Sequence, residues 1–240
     1  TYNLKTEHES YDPLEAIIRA ADADIVFLQE LSEPAEAQYT ANLREQYPYY
    51  EGVTFGLSVM GLGIFSKYPI SDVSFGWRDE VWLRYMRAVV TVDGREVILY
   101  NIHTSPPIYG IAFDDAPRHD DISTVVALAT QETAPVLIAG DFNAPDQTED
   151  YRLLAAHFTD TFAEVGYGLG VTWPQFGSFR SIVSVLRPFI RLDYIWHSEH
   201  FIGLNAEVWP ESGGSDHHPV RAELALLPTT DALSTANHQP

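Results

Sequence analysis

The chain is expected to form a single mixed α/β domain, and three features of its order point there. Short apolar runs at residues 25–28 and 136–139 are bounded by turn-forming or polar residues, as buried core strands are. Stretches with helical apolar spacing are interleaved with these runs and not collected at one end. No repeat, low-complexity tract or linker divides the chain; residues 1–227 read as one catalytic-sized domain and 228–240 as a flexible C-terminal tail without apolar periodicity. A chain of 240 residues is long enough to bury a substantial core.

Taken in order, residues 2–4 suit a short strand that carries Asn3. Residues 13–21 suit a helix, with Asp12 as its N-cap, Pro13 at its first position and Leu14, Ile17 and Ile18 as its apolar stripe. The strand at 25–28 leads directly into Gln29 and Glu30, and a second helix is expected over 34–46, starting near Ser32 or Glu33. Residues 61–70 read as a strand and a turn. Asp93-Gly94 is a strong two-residue hairpin signal joining strands at 88–92 and 97–102, and His103 closes the second of them. Further helices are expected at 122–130 and 153–158, and further strands at 191–196, which contains Asp193, and at 220–226.

The stretch Pro135-Val-Leu-Ile-Ala-Gly-Asp-Phe-Asn143 organises the rest. A buried strand ends at Gly140 and delivers Asp141 and Asn143, which at strand spacing share one side while Phe142 takes the other. The same event recurs: apolar strands end at Glu30 and at Asn101 and His103, and Asp216 and His217 stand just before the last strand. Ends of strands are where a rigid scaffold presents chemistry. Singly, each residue has a plainer reading as a turn, a capping carboxylate, a core histidine or, for Asp193, a partner of Arg191.

Composition narrows the partners. With 14 Lys plus Arg against 34 Asp plus Glu, the formal net charge is −20. Affinity for long nucleic acid comes mainly from phosphate neutralisation by cations, so such partners are disfavoured. The cations near the motifs are few: Lys5, Arg84, Arg87, Arg118, Arg180, Arg187 and Arg191. The absence of cysteine rules out disulfides, thiolate metal sites and a cysteine nucleophile. No apolar run approaches the roughly 18 residues of a membrane span. The chain opens at Thr1 on strand-like residues, which suggests a piece of a longer precursor.

Seven segments together resemble one family. Thr1-Tyr-Asn3, Leu28-Gln-Glu30, Gly63-Ile-Phe-Ser-Lys-Tyr-Pro-Ile70, Asn101-Ile-His103, Gly140-Asp-Phe-Asn143, Leu192-Asp-Tyr-Ile195 and Gly214-Ser-Asp-His217 lie in the order of the endonuclease/exonuclease/phosphatase (deoxyribonuclease I-like) superfamily of metal-dependent phosphoesterases. The resemblance implies a four-layer α/β/β/α sandwich, with two mostly antiparallel sheets face to face, helices outside and the active site at one edge. It implies Mg²⁺, with Mn²⁺ as a substitute, held principally by Glu30 with Asn3 beside it and Asp216 assisting. It further implies that Asp193 orients His217 as a general base, and that Asp141 and Asn143 position the attacking water and the phosphate. His103 would contact the phosphate or assist the leaving group; abasic-site endonucleases of the superfamily usually have tyrosine there, which argues against that repair activity. The tryptophan-cysteine-aspartate element of inositol phosphatases is replaced by Arg191-Leu-Asp-Tyr194.

The expected activity is hydrolysis of a phosphomonoester or phosphodiester by in-line water attack, with small or lipid-linked substrates favoured by the apolar loops 105–113, 172–177 and 182–190. A nuclease and a non-catalytic binding module are the alternatives. The Thr172-Trp-Pro element also resembles a bacterial branch whose catalytic domain follows membrane helices. An extracytoplasmic or membrane-anchored monomer is expected on that basis, and a cytoplasmic one otherwise.

Overall fold

Strand β2 (Ile25–Gln29) shows why the chain folds in layers. Every residue after Ile25 is buried, so both faces of the strand need a cover. The computed structural model describes residues 1–109, 112–174 and 189–228. In it β1 (Tyr2–Asn3), β2, β4 (Leu62–Ser66) and β3 (Tyr49–Val53) form a four-stranded sheet in the order β1-β2-β4-β3. The second sheet has six strands, in the order β11 (Thr159–Asp160), β12 (Asp193–His197), β10 (Val136–Asp141), β7 (Arg95–His103), β6 (Trp82–Val92), β5 (Ile70–Arg78). Within these sheets β1–β2 and β7–β10 are parallel and the other described pairings antiparallel. Residues 108–109 (β8) and 112–113 (β9) make a small ribbon of their own.

Three apolar clusters define four layers. Phe27 and Ile64 of the first sheet meet Met86, Leu99, Leu137 and Ala139 of the second in the central core. Helices α1 (Asp12–Ala21) and α2 (Glu33–Asn42) cover the outside of the first sheet through Leu14, Ile18, Ala35 and Tyr39. Helices α3 (Ala116–Ala129) and α4 (Glu149–Ala155) cover the outside of the second through Ile122, Val125, Val126 and Leu154. A short α5 (Thr161–Val165) precedes β12, and β13 (Phe201–Val208) and β14 (Val220–Leu226) form the last described hairpin. Reciprocal backbone hydrogen bonds between Thr1 and Val220 join that hairpin to β1. The α/β sandwich expected from the resemblance is therefore present.

Several local expectations need correction. Asp12 does not cap α1: Tyr11 takes that position without a side-chain bond, and Asp12 accepts instead from Gln38 at 2.9 Å. Helix α2 stops at Asn42, and Ser32 is its cap. Helix α3 begins six residues before Ile122, because its polar first turns hide Arg118 and Asp121 in ion pairs rather than in an apolar stripe. Helix α4 starts earlier than 153, at a Thr148 cap whose hydroxyl accepts from Tyr151 N at 3.3 Å. Strands β3, β5 and β13 and helix α5 had no clear sequence signal; β5 is half exposed and carries register shifts that break its alternation. The expected tail beyond Pro228 and residues 175–188, which hold most of the expected loops 172–177 and 182–190, lie outside the described residues.

Candidate active site

Strand register assembles the site. The parallel β7–β10 pairing sets His103 opposite Asp141, and the antiparallel β10–β12 pairing sets Asp141 opposite Asp193. Three residues far apart in sequence thus stand in one row across adjacent strand ends. Gly140 makes the close strand approach possible: a Cβ there would sit 2.0 Å from the Ile102 carbonyl oxygen, at a φ of +152° that side chains rarely adopt. From the facing sheet, the β1–β2 pairing aligns Asn3 with Gln29, one residue before Glu30. Glu30 itself takes a left-handed backbone, φ 54°, which is uncommon for a residue with a side chain and recurs at functional sites.

The side chains converge. Asn3 Nδ2 donates to Glu30 Oε1 at 3.2 Å and to Asp141 Oδ2 at 3.0 Å. His103 Nε2 lies 3.9 Å from the same Glu30 oxygen and 3.8 Å from the same Asp141 oxygen. His217 Nε2 lies 3.6 Å from Asp141 Oδ2, while its Nδ1 bonds Asp193 Oδ2 at 2.8 Å. His103 Nδ1 meets the Val59 carbonyl oxygen at 3.1 Å; a carbonyl only accepts, so this nitrogen carries the proton and Nε2 faces the carboxylates. His217 is held at its backbone by Ser215 Oγ, which itself donates to the Asn3 carbonyl. Trp173 flanks His217, with ring centroids 6.5 Å apart.

One expected placement differs. Asn143 does not share a strand face with Asp141. The strand ends at Asp141, and Asn143 turns back with φ 47° so that its N–H reaches Asp141 Oδ1 at 2.9 Å and its Nδ2 donates to the Thr104 carbonyl. Asp216, half-buried, makes no hydrogen bond or ion pair among the described residues, although its charge acts on His217. Asn101 serves the scaffold: it accepts from Gln29 at 2.6 Å and donates to the Leu28 and Gly63 carbonyls, tying the two sheets together beneath the site. Arg191 leaves Asp193 alone and pairs with Asp160 at 2.8 Å, packed against Tyr194. No local pattern marks Thr6, which donates to Glu30, or buried Asp121, which accepts from Ser105 and so anchors the chain after His103.

Charge is badly balanced here. Burial opposes a positive His217, but the carboxylates of Asp193 and Asp141 override it and push the imidazole up to about 10. Burial likewise raises Asp141, with His217 acting against it. The proton of this pair belongs on His217, because Asp141 accepts from both Asn143 N and Asn3 Nδ2, bonds that favour its ionised form. Among the described residues no Lys or Arg pairs with Glu30, Asp141, Asp193 or Asp216. Arg84, Arg87 and Arg118 are engaged by Asp120, Glu132 and Asp150, and Arg180 and Arg187 lie outside the described residues.

The donor set suits a hard divalent cation. Glu30 Oε1 and Asp141 Oδ2 converge on a single amide nitrogen, so these two carboxylates would be among the oxygens that hold such an ion. Asp193 Oδ1 is buried without a hydrogen-bond partner among the described residues. Asp141, Asp193 and His217 also form a possible ligand group; His217 Nδ1 is committed to Asp193 at 2.8 Å, which leaves Nε2, 3.6 Å from Asp141 Oδ2, as the nitrogen it could offer. In this arrangement Asn3 turns its nitrogen to the two carboxylates and its Oδ1 to Lys5 N.

The α/β sandwich gathers carboxylates and histidines at its strand ends, and the family that the chain matches consists of hydrolases acting on phosphoester bonds. The model of the endonuclease/exonuclease/phosphatase family matches residues 1–217, and the chain belongs to that family, whose members generally depend on a divalent metal. Among solved structures, an endonuclease/exonuclease/phosphatase from Bacteroides vulgatus is 20% identical, with a TM-score of 0.73 over 94% of this chain and 97% of that one. A mannosyl-6-phosphatase from Bacteroides thetaiotaomicron is 20% identical, with a TM-score of 0.66 over 94% and 98%. The β toxin of Staphylococcus aureus is 18% identical, with a TM-score of 0.68 over 92% and 97%. No curated protein sequence matches the chain significantly.

Proposed function

We propose that the chain is a Mg²⁺-dependent phosphoesterase, with Mn²⁺ as a substitute, that hydrolyses small or lipid-linked phosphomonoesters or phosphodiesters by in-line attack of water. One observation carries the reading: Glu30, Asp141, Asp193 and His217 converge at the strand ends without a neutralising Lys or Arg among the described residues. Such a cluster favours a bound cation. Glu30 would be the principal ligand, with Asp141 beside it and Asp216 as an assisting carboxylate. The ion would supply positive charge to the phosphoryl oxygens and weaken the negative field that keeps His217 protonated.

His217, oriented by Asp193, then takes the proton of the attacking water. Asp141 and Asn143 hold the water and the phosphate in line, and His103 faces the phosphate or the leaving group. Long nucleic acid fits poorly, because the net charge is −20 and the described arginines near the site are already paired with carboxylates.

The test is a panel assayed with Mg²⁺, Mn²⁺ or EDTA: a hexose 6-phosphate, bis(p-nitrophenyl) phosphate, phospholipid vesicles and supercoiled plasmid. Metal-dependent turnover of a small or lipid-linked ester, faster than plasmid nicking at physiological salt, is expected. Plasmid cleavage faster than every other substrate would overturn the preference and make the protein a nuclease.

A further inference from the structure

We infer that Thr6 is a positioning residue that locks one oxygen of Glu30 and so sets how that carboxylate meets a cation; this rests on the metal reading above. Thr6 places two donors on a single acceptor: its backbone N and its Oγ1 each lie 3.1 Å from Glu30 Oε2. The other oxygen, Oε1, is the one turned to Asn3 Nδ2 and His103 Nε2. The carboxylate is thereby divided, with one oxygen committed to the scaffold and one presented to the site.

The local chain is built for this. After β1 the backbone turns at Lys5, φ 58°, which brings two successive N–H groups back toward the site. Lys5 N donates to Asn3 Oδ1 at 3.0 Å, and Thr6 N to Glu30. One turn therefore orients both the amide and the carboxylate that face Asp141. Thr6 is buried, and its carbonyl oxygen accepts from Tyr11 OH, which in turn accepts from Ser32 Oγ, so the turn is braced from behind. Glu30 stands opposite with its own left-handed backbone, φ 54°.

The chemical consequence is denticity. A glutamate with both oxygens free can chelate a cation through a four-membered ring, which Ca²⁺ accepts readily with its 6–8 flexible ligands. Mg²⁺ requires near-ideal octahedral geometry and is served by one oxygen per carboxylate. Two hydrogen bonds on Oε2 enforce the single-oxygen mode and so favour the smaller ion.

Thr6→Val keeps the shape and the backbone donor but removes the hydroxyl, and Thr6→Ser restores the hydroxyl alone. Mg²⁺ and Ca²⁺ affinities would be measured by calorimetry on the full chain, with melting in EDTA as a separate readout. Loss of a partner behind a metal ligand typically costs about 10–100-fold in affinity. Thr6→Val is expected to weaken Mg²⁺ within that range and Ca²⁺ by clearly less, lowering the Mg²⁺/Ca²⁺ preference, while Thr6→Ser stays within about threefold of wild type for both. Should Thr6→Val not fold, Thr6→Ala takes its place with the same expectation. Wild-type affinities and ratio in the hydroxyl-free variant, with only its EDTA melting lowered, would overturn the inference and leave Thr6 a packing residue. A wild-type chain that binds neither ion would overturn the metal reading itself, whatever Thr6 does.

Discussion

The 2.8 Å bond between His217 Nδ1 and Asp193 Oδ2 makes a specific prediction about coupling. Both groups are buried, and the described residues give His217 Nδ1 no other partner. Removing a proton-transfer side chain costs about 10²–10⁴-fold in rate, which at 1.36 kcal/mol per tenfold is roughly 3–5 kcal/mol. His217→Ala is expected to lose that much. Asp193→Ala leaves the imidazole in place but removes the partner that fixes its tautomer and direction, so it loses most of the same quantity. Residues acting as one unit are strongly non-additive. The double variant should therefore fall within about threefold of His217→Ala, whereas independent losses would multiply to roughly 10⁴-fold or more. The assay is kcat/KM on whichever phosphoester the panel identifies, at saturating Mg²⁺, with melting in EDTA to confirm folding. Multiplicative losses in folded protein would refute the pairing.

Two further outcomes follow from the same geometry. In ion-free protein His217 is raised from 6.5 to about 10, so the stability it contributes is complete below 6.5 and is lost as the pH rises toward 10. The melting temperature in EDTA should therefore fall across that window, and His217→Gln should flatten the fall; a rising curve would contradict the electrostatic account. At Gly140, an added Cβ would meet the Ile102 carbonyl oxygen at 2.0 Å. Gly140→Ala should cost about 3 kcal/mol or more through backbone strain, which for a domain of this size lowers melting by roughly 6 °C or more by calorimetry; an unchanged melting temperature would show that the strands relax freely.

The parts legible in the sequence were those where burial leaves a local mark. The apolar runs leading to Glu30 and Asp141 read as strands because both faces of each are covered, and Asp93-Gly94 announced its hairpin with φ values of 50° and 79°. The half-exposed edge strands β3 and β5 carry no such run. In α3 the buried surface is partly ionic, with Arg118 on Asp150 and Asp121 on Arg78, so an apolar stripe understates the helix. The motif residues were findable because each ends a strand, yet their pairing is a property of register. Nothing local says that Asp193 faces His217 rather than Arg191, or that Asn143 has already turned out of the strand. Thr6 was invisible for the same reason: a lone threonine in a loop acquires meaning only when Glu30 is folded against it.

The central claim is that Glu30 anchors a catalytic cation. The most direct measurement is the initial rate of phosphoester hydrolysis against Mg²⁺ concentration for wild type and Glu30→Gln, which keeps the shape and removes the charge. Wild type should be silent in EDTA and restored by Mg²⁺, and the variant should melt as wild type does in EDTA yet lose most activity even at saturating ion. A variant that reaches the wild-type rate at saturating Mg²⁺ would contradict the account.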